Sequence, residues 1–179
     1  MSQIDLNYQK PSAEILALVE APLPPLVRMN TKGTIAVFLH RELYKSIAEI
    51  SAKEMRLGGL RINPVTNISS RAHYYAKLTI KNIAQDKTQK VKGLPEKAQI
   101  AHLSWSPNEK MMAFTNTTDK GVALWVLDIA KREVRQLTKA VLNANLGVPF
   151  MWRKNNKSLL VHFLPKDKKA LIDLSLIHI

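Results

Sequence analysis

The sequence predicts an all-β fold, and three observations carry that prediction. From residue 26 onward, short runs rich in branched and aromatic residues alternate with turn residues, the period of strands rather than helices. Segments recur: Trp105 with SPNEKMMAF aligns on Trp152 with RKNNKSLLV, 47 residues later, and LTIKNIA at 78 to 84 aligns on LWVLDIA, 46 residues later. The composition, 46% hydrophobic and 23% charged in 179 residues, is that of a chain able to bury a core. A four-stranded unit repeating every 40 to 50 residues or so is the signature of β-propeller blades, whose apolar faces need a neighbouring blade to cover them. The reading is a partial β-propeller of about two and a half four-stranded blades, with a short N-terminal helix and a helical insertion in the first blade.

The elements follow in order. Residues 1–25 form the N-terminal helix and linker: in PSAEILALVEAP, Ser12 is placed to cap a helix whose apolar side is Ile15, Leu16, Leu18 and Val19, and Pro22 ends it. APLPPL is extended, because each proline excludes its predecessor from the helical region. The propeller portion covers 26–173. Blade one uses strands near 24–29, 34–40, 73–83 and 89–94. Blade two uses 100–105, 111–117, 122–129 and 134–138, and blade three runs from about 148 to 173 and is cut off there. Within blade one an insertion carries a helix at 46–58, since Ser46 and Glu49 have capping-box spacing and Gly58 suits a helix end. Residues 174–179, LSLIHI, fit no strand with an edge partner and are read as a non-native tail. Two and a half blades leave an open flank, so the chain is expected to be a fragment of something larger.

Charge and residue content exclude several function classes. There are 27 Lys plus Arg against 14 Asp plus Glu, a net charge of +13, and residues 61 to 179 carry 20 of the basic and 8 of the acidic side chains. The lysines there fall singly at turns, a solvated-surface pattern rather than the phosphate-tracking cluster that nucleic acid demands, so no nucleic-acid partner is expected. Zero cysteines exclude disulfides, thiolate metal sites and a thiol nucleophile. No apolar run reaches the roughly 18 residues of a membrane span, and no signal peptide is visible in MSQIDLNYQKP. His40, His73, His102, His162 and His178 lack metal-ligand spacing, Gly58 and Gly59 lack the third glycine of a dinucleotide loop, and no cofactor is expected. Trp105, Trp125 and Trp152 read as core residues rather than a stacking platform, and Asp119 and Asp128 as partners of nearby backbone amides.

SWSPNEKMMAFTN resembles the W-S-P-D-G-K-x-x-A-F repeat of propellers in prolyl oligopeptidase family serine peptidases and TolB-like proteins, with Asn108 and Glu109 where Asp and Gly are usual. SIAEISAKEMRLGGLRINPVTNISSR resembles the P-x-A-x-L-x-x-P-E-x-x-L-A-G-L-R-I-x-P-x-x-N-x-x-S-R segment of the glutamyl endopeptidase branch. NLGVPFMWRKNNKSLLVHFLP is similar to a later element of that branch, with Lys154, Asn155 and Asn156 replacing Pro, Asp and Gly. The resemblance covers about residues 8 to 172. It implies an N-terminal propeller that gates and supports an α/β-hydrolase domain with a Ser, Asp, His triad, a peptide substrate bound through that domain, and a periplasmic or exported location.

The catalytic part that the resemblance implies is expected to lie beyond this sequence. A nucleophilic serine needs a G-x-S-x-G elbow, and none of the ten serines, Ser2 to Ser175, is so flanked. No catalytic residue is therefore assigned, and the chain alone is expected to be inactive. Within what the resemblance implies, Arg56, Arg61 and Arg71 are the candidate substrate-binding residues, because arginine meets a substrate carboxylate with a planar two-toothed fork. The competing reading has Arg61 and Arg71 hold the insertion together through backbone carbonyls and acids such as Glu49 or Glu54. The alternative to a peptidase propeller is a non-enzymatic TolB-like propeller that binds a protein partner.

Overall fold

In the computed structural model of the chain, residues 9–168 are described. Their elements in chain order are α1 (Ala13–Val19), β1 (Leu26–Met29), β2 (Ile35–His40), α2 (Ile47–Ile50), β3 (Met55–Leu57), β4 (Leu60–Asn63), β5 (Ile68–Ser69), β6 (Lys77–Asn82) and β7 (Lys87–Lys90). They continue with β8 (Ile100–Trp105), β9 (Met111–Thr118), β10 (Gly121–Asp128), β11 (Glu133–Gln136), β12 (Phe150–Trp152) and β13 (Leu159–Val161). The fold is all-β with two short helices and no closed barrel among the described residues. The expected stretches 169–173 of the third unit and 174–179 of the tail lie outside the described residues.

Four antiparallel sheets result, ordered β1-β2-β6-β7, β11-β10-β9-β8, β12-β13 and β3-β4-β5. The two four-stranded sheets are meanders in which neighbours in space are neighbours in sequence, apart from the insertion between β2 and β6. Strand alternation then divides the side chains of the second sheet between two cores. On one face Met112, Phe114 and Leu127 pack with Val37, Leu39, Leu78 and Ile80 of the first sheet. On the other, Ala113, Val122 and Leu124 pack with Phe150 and with the half-buried Trp152, Leu159 and Val161 of the β12-β13 pair. Phe114 and Trp125 are directly paired across β9 and β10 and stack with ring centroids 6.4 Å apart, both on the first core. Trp105 lines that core and Trp152 the second, so all three tryptophans pack as core residues.

The strand edges of β8 hold a local irregularity. The register of β8 on β9 shifts between Ala101 and Ser104, and His102 within the bulge has φ 52°. Its Nδ1 lies 3.1 Å from the Thr115 hydroxyl, and burial pushes its imidazole below the ordinary value.

Two expectations are corrected. The insertion does not hold a helix from 46 to 58. The capping box at Ser46 forms, with the Glu49 amide donating to Ser46 Oγ at 3.2 Å and the Ser46 amide donating to Glu49 Oε2 at 2.8 Å, but the helix ends after Ile50. Beyond it, Met55–Leu57 and Leu60–Asn63 form a hairpin, and Gly58 and Gly59 are its two-residue turn with φ 53° and 84°. Two successive left-handed residues are what a type I′ turn requires, so the glycine pair closes strands instead of stopping a helix. The apolar residues around it have β-like spacing, which outweighs a four-residue helical start. At the N-terminus, Ser12 occupies the cap position of α1 without a side-chain hydrogen bond to the helix, and Ile15, Leu18 and Val19 are exposed rather than packed.

Candidate functional site

Antiparallel connectivity sends the chain to two ends of the stacked sheets. Hairpin turns 30–33, 106–109 and 153–156 gather at one end, held together by hydrogen bonds between them. The insertion 41–76 and the connection from β7 to β8 gather at the other, where they enclose a cleft of about 610 Å³.

The insertion is tied to this end by Glu49. Its Oε2 is committed to the helix cap, while Oε1 accepts a 3.4 Å bond from Gln99 Nε2, and the Gln99 backbone amide in turn donates to Asn116 Oδ1 at 2.9 Å. The cleft is lined by Tyr44, Tyr74 and Tyr75 together with Arg41, Lys45 and Glu49. Burial raises the Tyr74 phenol above its ordinary value, with the nearby Glu49 carboxylate acting in the same direction, so it stays a hydrogen-bond donor. These tyrosines were not singled out in the sequence, although the run HYY immediately before a strand carried the signal.

Of the three arginines, two are occupied. Glu54 Oε1 accepts from Arg61 Nη1 at 2.7 Å and from Arg56 Nε at 3.2 Å, while Glu54 Oε2 accepts from the Ser70 hydroxyl at 2.5 Å. The Ser70 bond first, and then the two guanidinium groups, lower the Glu54 carboxyl to about 2. Such a carboxylate is locked in its charged form and binds β3, β4 and the segment after β5 into one unit. A second tie holds that unit to the body: Ile68 bridges to Ala144, the Ala144 amide donates to the Asn67 carbonyl at 2.9 Å, and Ile68 is buried in the second core. Arg71 differs. It is exposed, and among the described residues its guanidinium has no hydrogen-bond or ion-pair partner; only its amide is used, donating to Ser69 Oγ at 3.2 Å. None of the three arginines lines the cleft. Among the described residues no group of three or more His, Asp or Glu side chains is placed to hold a metal ion, and no helix is long and apolar enough to cross a membrane.

No family model matches the chain. Over 95% of its length it is 30% identical to a protein of Oryza sativa subsp. japonica named "Probable glutamyl endopeptidase, chloroplastic". Over 92% it is 28% identical to the Arabidopsis thaliana protein of the same name. The chain spans 19% and 18% of the length of these two relatives. Among solved structures, one chain from Bacteroides ovatus, described as a dipeptidyl aminopeptidase IV, overlaps 66% of this chain and 18% of its own with a TM-score of 0.39 at 17% identity. By sequence, then, the chain is similar to proteins named as glutamyl endopeptidases, over a stretch equal to about a fifth of their length.

Proposed function

We propose that this chain is propeller material of a glutamyl endopeptidase-like serine peptidase, gating and supporting an α/β-hydrolase domain that lies outside it. The observation that carries the reading is the second sheet, which is apolar on both faces and lies between the first sheet and the β12-β13 pair. Sheets stacked face to face at a spacing of 46 to 47 residues are the unit of a propeller, where every blade is covered by its two neighbours.

The insertion supports the gating role. Ile47 and Ile50 of its helix are 85% and 72% exposed, and Tyr44 and Leu57 of the same insertion are exposed as well. Several exposed apolar side chains on one inserted segment fit contact with another domain. Within this reading Arg71 is the arginine available to a substrate carboxylate, since Arg56 and Arg61 are already paired with Glu54.

The test compares the complete protein with this chain. The complete protein is expected to cleave a reporter peptide after glutamate and to lose that activity to a serine-directed reagent, while this chain leaves the peptide intact. Cleavage by this chain alone, blocked by the same reagent, overturns the reading. A complete reading frame with further sheets and no G-x-S-x-G elbow overturns it in favour of a non-enzymatic propeller that binds a protein partner.

A further inference from the structure

One hairpin turn, whose form 83–86 between β6 and β7 also takes with its left-handed Asp86 paired to Lys81 of the same sheet, stands at three matching places: 30–33 between β1 and β2, 106–109 between β8 and β9, and 153–156 between β12 and β13. In each, the amide of the fourth residue donates to the carbonyl of the first: Gly33 to Asn30 at 3.0 Å, Glu109 to Ser106 at 2.8 Å, Asn156 to Arg153 at 3.1 Å. In each, the fourth residue is left-handed, with φ 67°, 57° and 57°. Glycine takes that conformation freely, whereas a side chain makes it unfavourable, least so for asparagine. The second and third turns nonetheless carry Glu109 and Asn156.

Both of those side chains reach backward to the turn of the preceding sheet. Glu109 Oε1 accepts the Thr31 amide at 2.7 Å and also the Thr31 hydroxyl. Asn156 Oδ1 accepts the Asn108 amide at 2.7 Å. Thr31 is the second residue of its turn and Asn108 the third, and the shift has a cause: the second residue of the middle turn is Pro107, which has no N–H to give. The bonds from Thr31 also hold the Glu109 carboxyl below its ordinary range, so the acceptor is the ionised group.

We propose that the left-handed residues of the second and third turns, Glu109 and Asn156, are clasps between sheets, acceptor side chains that fix the spacing of adjacent sheets at the turn end by capturing a backbone amide of the sheet before them. The clasp stands outside both apolar cores and acts where the sheets would otherwise splay. It explains why two non-glycine residues occupy positions that the backbone alone would give to glycine.

Amide hydrogen exchange followed by NMR on the full chain tests this. In Glu109→Gly the Thr31 amide is expected to exchange at least about tenfold faster, while the Gly33 amide, bonded within its own turn, keeps its rate. In Asn156→Gly the same acceleration is expected at Asn108, with the Glu109 amide unchanged. Glu109→Gln keeps an acceptor and is expected to leave Thr31 slow. An unchanged Thr31 rate in Glu109→Gly overturns the proposal. So does equal acceleration at Gly33, which would mean the turn itself had loosened, or a Thr31 in Glu109→Gln as fast as in the glycine variant.

Discussion

Phe114→Ala is the sharpest test of the stacking between the first two sheets. Phe114 is fully buried, is among the largest such side chains, and faces Val37, Leu39, Leu78 and Ile80 across the interface. Removing a buried phenyl ring forfeits on the order of 170 Å² of apolar burial, about 4 kcal/mol at about 25 cal/mol per Å². Lost stacking on Trp125 adds about 0.5 to 1 kcal/mol. A total of about 4 to 5 kcal/mol lies at the upper end of measured Phe→Ala costs and rivals the whole stability of many domains. Urea denaturation followed by tryptophan fluorescence measures it, with Met151→Ala on the exposed outer face of β12 as a control expected within about 0.5 kcal/mol. A cost below about 1 kcal/mol for Phe114→Ala, with the slope of the transition unchanged, would mean that the two sheets do not share a core in solution.

Three further outcomes follow from the geometry. Gly121 has φ 136°, and a Cβ there would stand 2.6 Å from the Ala140 carbonyl oxygen, so Gly121→Ala is expected to cost at least about 2 kcal/mol in the same denaturation assay. Glu54 has a folded-state value near 2, below its unfolded value of 4.5; its stabilising effect is therefore complete above about pH 4.5 and lost as pH falls toward 2. Thermal midpoints of the native chain and of Glu54→Gln should accordingly converge as pH is lowered through that window, and parallel curves would refute the assignment. In the complete protein, Arg71→Ala is expected to reduce the preference for Glu over Gln reporters about tenfold or more while leaving the thermal midpoint unchanged, whereas an intact preference would remove Arg71 from substrate recognition.

The strands of the second sheet were legible because each is a short run rich in apolar residues bounded by explicit turn residues, SPNEK, TDKG and AKRE, and the observed ends differ from the expected ones by no more than two residues. The insertion was less legible. Its capping box is real, yet a cap says where a helix starts and nothing about how far it runs. The pair Gly58-Gly59 between Leu57 and Leu60 was the stronger local signal, a two-residue hairpin turn between residues suited to strands. The pairing of Glu54 with Arg61 rather than with solvent was accessible as one of two readings, because the residues are close in sequence. The clasps at Glu109 and Asn156 were not accessible: as departures from a glycine consensus they look like drift, and only the distance between neighbouring sheets gives them a partner.

The insertion also divides the two four-stranded sheets in time. Two residues, 119 and 120, separate β9 from β10, whereas thirty-six, 41 to 76, separate β2 from β6. With about 0.6 kcal/mol of closure entropy for each doubling of loop length, joining β2 to β6 is disfavoured by roughly 2.5 kcal/mol relative to the tight hairpin. The middle sheet can thus nucleate from local contacts alone and offer a finished template, on which the amino-terminal sheet condenses late. During synthesis β2 stays bonded to β1 alone, with its other edge open, until β6 has emerged beyond the insertion.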